Sequence, residues 1–327
     1  MAEFNLSKQQ QDSNRISLVD KIPLDTPLSM QIELASACNL KCSFCMHHDD
    51  SLIKDGRLKI GCMSMDTFLE TVSGLKEFPQ KLKFITLQSR GESLLNKNII
   101  PMLNIIKKAQ VAEKIGLYTN GILLTQEIAD GFIDSGLDVL HISINGVNAQ
   151  QYKRITKTEV DFENLIKNIK YFYTHKKNTY LYIKAINCDL SKHDKDKFIE
   201  LFKNISDDFF IEEPVDAWQG AQIKKESLKR NRYQTINQEV QICPRIFFAC
   251  VVHFDGTVVA CDHDWSEQEI VGNVCKEPLL NIWKGKIFEE LRDRHLCGYA
   301  DTIKRCRNCI QRKECLPKDN IDALLKK

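Results

Sequence analysis

The chain has 327 residues, 43% hydrophobic and 28% charged, a composition that indicates a globular protein and excludes collagenous, low-complexity and wholly disordered classes. Its 46 basic and 44 acidic residues give a net charge of +2, far from the surplus that phosphate-neutralising surfaces carry, so nucleic acid is not an expected partner. The N-terminal stretch lacks the apolar segment of a signal peptide, and no run has the length of a membrane span. We therefore expect a cytoplasmic protein with no membrane partner.

Short apolar runs alternate with amphipathic stretches along most of the chain, after a polar lead-in that we expect to be loosely ordered. Six runs predict β-strands, at residues 30–34, 84–87, 115–118, 139–144, 180–186 and 209–211. Helical spacing of apolar residues lies between them, in 68–75, 99–109 and 162–169, and Thr125 is a predicted N-cap. This alternation favours a parallel α/β sheet, either an open barrel or a doubly wound sheet, with function at the carboxyl ends of the strands.

A change in the sequence pattern after about residue 232 predicts a domain boundary. The alternation stops there, and eight of the 13 cysteines lie between Cys243 and Cys315. We therefore divide the chain into an N-terminal extension (1–27), an α/β domain (28–235) and a small C-terminal domain (236–327). A basic run before the boundary is either a solvated face or a contact for a phosphate-bearing substrate; it comprises Lys224, Lys225, Lys229, Arg230 and Arg232.

Clustered cysteines in a reducing compartment indicate metal ligands or catalytic thiols instead of disulfides. Cys38, Cys42 and Cys45, here called the first thiol group, follow the first predicted strand directly. Three thiolates on one short loop can hold three irons of a cubane cluster and leave the fourth iron without a protein ligand. The alternatives are a zinc site completed by His47 or His48, and core cysteines that bind no metal.

The spacing of these cysteines, with Phe44 before the last one and a strand before the first, resembles that of the radical S-adenosylmethionine (radical SAM) superfamily. The resemblance implies a partial (β/α)6 barrel of the α/β class. It also implies a 4Fe-4S cluster on the three cysteines, SAM bound at the open iron, and Phe44 beside the cofactor.

Further segments at the ends of predicted strands match the same superfamily. Residues 90–95 look like the Gly-Gly-Glu-Pro segment that contacts the methionine amino group, with Gly91 and Glu92 retained but Arg90 and Ser93 as departures. These departures put the loop conformation in question, because Pro restricts φ and Gly permits positive φ. The resemblance assigns further SAM contacts to residues after the third and fourth strands and on the next helix: Asn120, Ser143 and Asn145 for the nucleoside side, and Arg154 for the methionine carboxylate.

The C-terminal region contains a second set of cysteines around a predicted hairpin. Asp255-Gly256 reads as the hairpin turn, which would place Cys261 on the second strand of the hairpin. A zinc ribbon has the same spacing. The arrangement resembles the SPASM or twitch region of radical SAM proteins, a β-hairpin/helix domain, and this implies one auxiliary 4Fe-4S cluster on the second thiol group: Cys243, Cys261, Cys306 and Cys309.

The remaining cysteines have no ligand role in this prediction. The full SPASM pattern requires another cysteine where Asp319 stands, so a second auxiliary cluster is not expected, although Cys315 fits one of its positions. The others are expected to pack as small apolar side chains, with spare-ligand roles for the C-terminal ones and a catalytic role for Cys188 as alternatives: Cys62, Cys188, Cys250, Cys275 and Cys297.

The superfamily resemblance implies reductive cleavage of SAM to a 5'-deoxyadenosyl radical, with electrons from a donor of the flavodoxin or ferredoxin type. An auxiliary cluster permits loss of an electron from the substrate, as in single-cluster members that oxidise a cyclitol alcohol. We therefore expect an oxidoreductase that removes hydrogen from a small, carbohydrate- or cyclitol-like substrate in the barrel lumen. Alternatives are epimerisation or decarboxylation of a sugar or nucleotide sugar, peptide or protein modification, and a non-catalytic zinc-binding adaptor.

Alternation along the fifth predicted strand places Lys184 on the same face as Tyr180 and Tyr182. A lysine pointing into the lumen would hold an anionic or hydroxyl group of the substrate, and this makes Lys184 the catalytic candidate. The alternative is a strand-edge lysine that reaches solvent. Three residues past the sixth strand are further candidates for the lining of the lumen: Asp216, Trp218 and Gln219.

Overall fold

The computed structural model describes residues 16–188, 190–214, 239–307, 309, 312 and 315–326. Its sheet confirms all six predicted strands and adds three. The strands are β1 (Ser29–Ile32), β2 (Leu82–Leu87), β3 (Ala112–Thr119), β4 (Val139–Ser143), β5 (Tyr180–Ile186), β6 (Asp208–Glu212), β7 (Ala249–Val252), β8 (Thr257–Val259) and β9 (Ile270–Asn273).

The first six strands are parallel and lie in chain order, as the alternation predicted. The whole sheet has the order β6-β5-β4-β3-β2-β1-β7-β8-β9. A doubly wound sheet reverses its strand order at a switch point, and this one does not reverse over β1 to β6. The topology is therefore that of a partial barrel, in which successive crossovers all place their helices on the outer face.

Helices pack against the sheet and around the loops at its carboxyl edge. They are α1 (Asp50–Lys54), α2 (Met65–Lys76), α3 (Ile99–Ala109), α4 (Gln126–Asp134), α5 (Ala149–Thr156), α6 (Phe162–His175), α7 (Lys192–Phe202), α8 (Arg245–Phe248), α9 (Leu279–Trp283) and α10 (Lys286–Leu296). The predicted apolar stripes are largely buried, with Leu69 an exception at 45% exposed, and Thr125 caps α4 by accepting a hydrogen bond from the Ile128 N–H at 3.2 Å. No helix in the described ranges combines the length and the apolar character needed to cross a bilayer.

The N-terminal lead-in is better ordered than predicted over its described part. From Ile16 onward it packs against the C-terminal helices, and the indole N–H of Trp283 donates to the Leu24 carbonyl at 2.9 Å. Lys284 pairs with Asp25 at 2.6 Å. The prediction of disorder was wrong here because its partners are more than 250 residues away and leave no local periodicity.

The C-terminal region extends the barrel sheet. β7 lies parallel to β1, with Ser29 opposite Ala249, while β8 and β9 continue antiparallel. The predicted hairpin turn is present between β7 and β8, where Gly256 has φ +83°. Cys261 does not lie on the second strand as expected but two residues beyond it, because the β8–β9 pairing is irregular at Val259 and the strand ends there.

Candidate cluster and cofactor sites

The first thiol group lies on a loop that leaves the carboxyl end of β1 and is held by backbone contacts. The N–H groups of Lys41 and Ser43 donate to the carbonyls of Thr156 and Ile155, at 2.9 and 3.0 Å, so the end of α5 supports the loop. Within the loop, the Cys45 N–H donates to the Cys42 carbonyl at 2.8 Å. Residues far apart in sequence thus shape the turn that presents the three thiols.

Burial and mutual repulsion keep these thiols protonated when no metal is bound. Burial raises the pKa of Cys38 to about 12, and negative charge on Cys45 adds to the shift. The pKa of Cys42 is also raised, first by burial and then by the charges of Cys45, Cys38 and Cys188. Three thiols that oppose each other's ionisation in a partly dry loop fit a cationic cluster, since iron stabilises the thiolates.

The zinc alternatives fit the geometry less well. Among the described residues, no group of three or more His, Cys, Asp or Glu side chains is close-set enough to hold a single metal ion. A cubane places each thiolate on a different iron and therefore spreads its ligands more widely than one zinc ion does. His47, a proposed fourth zinc ligand, is buried and its Nε2 donates to the Arg90 carbonyl at 3.1 Å.

Gly91 brings the loop after β2 into direct contact with the start of the cysteine loop. A Cβ at this position would lie 2.3 Å from the Ala37 carbonyl oxygen and 2.5 Å from the Ser36 carbonyl carbon. The next residue, Glu92, donates its N–H to the same Ala37 oxygen at 2.7 Å. The requirement for glycine is therefore a close backbone approach; Gly91 is not among the residues with positive φ.

Glu92 connects the loops after β2 and β3. Its buried carboxylate accepts hydrogen bonds from the Thr119 hydroxyl and the Asn120 N–H, both at 2.7 Å, and from the Leu94 N–H at 3.0 Å. Ser93, which replaces the family's proline, donates its hydroxyl to the Leu87 carbonyl at 2.7 Å. These bonds hold the loop in place although two of its residues differ from the family pattern. A contact between this segment and SAM remains a prediction.

The other predicted SAM residues occupy the same edge of the sheet. The Asn145 amide is 3.5 Å from the Cys42 sulfur, and Ser143 ends β4. Asn120 donates its side-chain amide to Asn39 in the cysteine loop, at 2.7 Å. Phe44 is partly buried against the core, whereas Arg154 is exposed on α5 and has no ion pair with another described residue.

The second thiol group is brought together from four separate positions of the C-terminal region. Burial raises the pKa of Cys243 to about 11 and that of Cys306 to about 12, and negative charge on Cys309 adds to both shifts. The pKa of Cys261 is raised by burial, by Asp262 and then by Cys243 and Cys309. The four predicted ligands are therefore electrostatic neighbours, as a shared cluster requires.

The remaining cysteines divide by exposure. Cys250 is buried in β7, as expected for a small apolar side chain, and Cys315 is also buried. The same expectation was wrong for Cys62, Cys275 and Cys297, which are exposed. Composition alone did not distinguish these positions. Cys62 forms an isolated β-bridge, Cys275 stands in a turn and Cys297 follows a helix, so no local period reports burial at any of them.

Lys184 lies on the lumen face of β5 and forms an ion pair with Glu212 of β6 at 3.0 Å. Sequence reasoning missed Glu212, although its position at the end of a predicted strand was a usable signal. It also missed His141, whose ring lies 4.2 Å from that of Tyr118 and 4.5 Å from that of Tyr182, measured between ring centroids. Asp216, Trp218, Gln219 and the basic run lie outside the described residues.

Solved structures with a similar fold include BtrN in complex with AdoMet (that is, SAM) and 2-DOIA. BtrN has a TM-score of 0.56 at 18% identity, over 86% of this chain and 92% of BtrN. Streptococcus suis SuiB bound to its precursor peptide SuiA has a TM-score of 0.67 at 15% identity, over 95% of this chain and 78% of SuiB. At these identities the likeness shows the fold alone.

Curated relatives match a shorter stretch. A probable GTP 3',8-cyclase of Methanococcus maripaludis is 36% identical over 129 residues, 39% of this chain and 40% of the relative. The GTP 3',8-cyclase of Clostridium perfringens is 30% identical over 129 residues, 39% of this chain and 38% of the relative. The chain therefore spans about two fifths of the length of the curated relatives it matches.

Replacing Gly91 with alanine should disrupt the first cluster. The new Cβ would collide with the backbone of residues 35–37, which must shift and carry Cys38 with them. We expect affinity for cluster iron to fall by about 10- to 100-fold, the range seen when supporting contacts of metal ligands are lost. Iron and sulfide per chain after anaerobic reconstitution measure it. Gly131→Ala is the matched control, because its Cβ would meet only the movable Ile100 side chain.

The metal-free protein should lose stability as pH rises from about 8.5 towards 12. The pKa values of Cys38 and Cys306 are each raised to about 12 in the fold, whereas an unfolded thiol titrates near about 8.5. The contribution of each thiol to the free energy of unfolding is fully present below the unfolded pKa of about 8.5. Above that pH it is lost by up to about 1.4 kcal/mol per pH unit for each group. Urea unfolding measures this, and Cys306→Ala should flatten the alkaline decline. Equal slopes in both proteins would contradict the assignment.

The family models complete the identification. The radical SAM superfamily model matches residues 32–203, and the model of the SPASM iron-sulfur cluster-binding domain matches residues 243–310. The first match contains the first thiol group and the barrel strands up to β5; the second contains all four cysteines of the second thiol group. The protein binds SAM, the 4Fe-4S cluster that acts on it and additional iron-sulfur in its C-terminal domain. The chain is a member of the radical SAM superfamily.

Proposed function

We propose that this enzyme oxidises a secondary alcohol of a small, uncharged polyol of the carbohydrate or cyclitol type. The observation that carries the proposal is the charge balance of the barrel lumen. Its two described ion pairs each match one cation with one carboxylate, so the part of the wall that the structure describes has polar groups for hydroxyls but little net charge for an ionic substrate.

The lumen wall has an aromatic row at its centre. Tyr118, His141 and Tyr182 stand opposite one another on β3, β4 and β5. Their neighbours Leu117, Leu140 and Leu181 point to the other face and join the apolar core beneath the helices. Flat rings of this kind pack against the carbon faces of a ring-shaped polyol and leave its hydroxyls to the polar groups around them.

The cations of the described lumen are paired. Lys184 and Glu212 are 3.0 Å apart, with side chains 18% and 10% exposed. Arg245 and Asp262 are 2.5 Å apart, and Asp262 also accepts from the Gln31 amide at 3.1 Å. A nucleoside triphosphate is held by cations free to form charge-assisted bonds to phosphate, so these pairs favour a neutral ligand.

A cavity of about 180 Å³ lies beside the aromatic row and reaches the second thiol group. It is small compared with the roughly 300 Å³ at which ligand pockets usually begin, so it suits part of a small molecule. Its lining combines Gln31, Thr86 and Tyr118 of the barrel with Arg245 and Cys261 of the C-terminal region. A substrate in this cavity would thus lie beside Cys261 of the second thiol group.

The chemistry has a simple balance. When bound, SAM and its cluster supply a 5'-deoxyadenosyl radical that takes one hydrogen atom from the carbinol carbon, and the auxiliary cluster accepts one electron. To become a ketone, the substrate must also release its hydroxyl proton. In our proposal Lys184 holds that hydroxyl and the Glu212 carboxylate takes the proton. A one-electron donor of the flavodoxin or ferredoxin type starts each turnover.

The GTP 3',8-cyclases indicate a second candidate, a cyclisation of a purine nucleotide. Their similarity to this chain covers only about two fifths of either protein. BtrN, whose structure contains 2-DOIA, shares the fold over nearly its full length but at 18% identity. The charge balance of the lumen is what favours the polyol over the nucleotide.

The reconstituted, reduced enzyme should transfer deuterium from a carbinol-deuterated cyclitol or amino-cyclitol into 5'-deoxyadenosine. We expect one ketone for each 5'-deoxyadenosine formed, measured by mass spectrometry. GTP, tested under the same conditions, should give no product and no deuterium transfer. Cys42→Ala should abolish SAM cleavage and serves as the control for background chemistry. Product from GTP, with none from the polyols, would overturn the proposal.

Replacing Lys184 with methionine should impair substrate turnover while sparing SAM cleavage without substrate. The ammonium that holds the hydroxyl is lost but the aliphatic stem remains, and we expect kcat/KM for the substrate to fall by about 10- to 100-fold, the loss expected when a hydrogen bond to a charged group is removed. Uncoupled formation of 5'-deoxyadenosine is measured in parallel. Lys192→Met, at an exposed position on α7, is the matched control. An unchanged kcat/KM would remove Lys184 from the site.

A further inference from the structure

Arg90, the residue that departs from the family's first glycine, forms a buried bridge between distant parts of the chain. Its Nε and Nη2 donate to the two oxygens of the Glu33 carboxylate at 2.8 and 2.6 Å. Its Nη1 donates to the Glu267 carboxylate at 2.9 Å and to the Trp265 carbonyl at 3.1 Å. The three ionised side chains are almost completely buried, at 2%, 0% and 6% exposed.

The partners of Arg90 come from each of the two cofactor regions. Glu33 directly follows β1 and leads into the cysteine loop, while Trp265 and Glu267 lie four and six residues after Cys261 of the second thiol group. On its other side, the Arg90 carbonyl accepts the His47 hydrogen bond, two residues past Cys45. Arg90 also directly precedes Gly91, whose backbone touches residues 35–37.

The buried carboxylate of Glu33 collects contacts from the C-terminal region as well. His253 Nδ1 lies 3.2 Å from it, and the Phe254 N–H donates to it at 3.3 Å. The pKa of Glu33 is well below its usual value, because the hydrogen bonds and charges of Arg90 and His253 outweigh the burial that would raise it. Glu33 therefore stays ionised and needs the guanidinium beside it.

Glu267 is held in an unusual conformation at the point where it meets Arg90. Its φ is +56°, in the left-handed region that side chains other than glycine seldom occupy. Lys59 also binds its carboxylate, at 2.5 Å, and its backbone N–H donates to the Asp264 carbonyl at 3.2 Å. The strained turn persists because Arg90 and the Asp264 carbonyl hold it, whereas the pair with Lys59, whose side chain is 48% exposed, adds little, since water screens it.

We propose that Arg90 is a positioning residue that couples the auxiliary cluster site to SAM binding. Holding Cys261 on the auxiliary cluster restricts residues 261–267 and presents Trp265 and Glu267 to Arg90. The fork of Arg90 then keeps Gly91 and Glu92 against the cysteine loop, where SAM is bound. Because such coupling is reciprocal, SAM should also tighten the auxiliary site. The proposal concerns the two cofactor sites and is independent of the substrate.

The test measures SAM affinity directly, without turnover. The Kd for SAM is taken from the change in the electron paramagnetic resonance signal of the reduced first cluster as SAM is added anaerobically. Removing the auxiliary cluster with Cys306→Ala and Cys309→Ala should weaken SAM binding by about tenfold, within the usual range of coupling between sites. Glu267→Gln should produce most of the same loss with both clusters present.

Two further variants separate coupling from a general loss of structure. Lys59→Met breaks the other ion pair of Glu267 but leaves Arg90 in place, and it should change the SAM Kd by no more than about twofold. In Arg90→Met, removal of the auxiliary cluster should cause no further loss of SAM affinity, because the connection is already broken.

The outcomes are distinct. An unchanged SAM Kd after loss of the auxiliary cluster, with the first cluster intact, would overturn the proposal. The proposal would also be overturned if a protein that combines Arg90→Met with the two cysteine substitutions lost SAM affinity by the product of the separate losses. If Arg90→Met does not fold, Arg90→Lys takes its place, since it retains the charge but cannot bridge both carboxylates with one fork. Partial retention of the coupling in that variant would support the assignment.

Discussion

The close approach of two backbone segments at Gly91 is the constraint on which the first cluster and the SAM-binding edge depend. The loop after β2 lies so near the start of the cysteine loop that a single methyl group would fall 2.3 Å from the Ala37 oxygen, and the Glu92 N–H bonds to that same oxygen. Glu92 then ties this pair of loops to the one after β3. Adjacent parallel strands deliver all three loops to one edge, and the missing side chain at Gly91 lets them meet.

The ion pairs around Arg90 and those in the barrel lumen differ in how deeply they are buried. Around Arg90 the carboxylates are enclosed and share the one guanidinium. Glu33 also meets His253 and Glu267 also meets Lys59, but removing Arg90 takes the main counter-charge from both buried carboxylates. In the lumen the pairs Lys184–Glu212 and Arg245–Asp262 are only partly buried, which is why our proposal assigns them to substrate recognition. In our proposals the enclosed charges position the SAM-binding loop, and the more accessible ones recognise the substrate.

The surroundings of the predicted ligand thiols favour the protonated form until iron binds. Cys42, Cys243 and Cys261 lie in surroundings that raise their pKa values, so without bound iron these thiols stay neutral, because burial penalises the ionised form. Cluster binding must therefore release protons and stabilise the fold at the same time. Cys62, Cys275 and Cys297 are exposed instead, so counting cysteines in the sequence did not separate them from the predicted ligands.

The sequence by itself determined what depends on local order. The period of apolar residues predicted six parallel strands, the spacing of Cys38, Cys42 and Cys45 indicated the superfamily, and Asp255-Gly256 marked the hairpin. Only the tertiary structure decided how distant segments meet: the pairing of β7 with β1, the partner of Lys184, and the network in which Arg90 joins Glu33 to Glu267, 234 residues further along the chain. Periodicity reports which face of an element is buried, but a buried ion pair leaves no period, since its members are matched by charge across the fold and not by position along the chain.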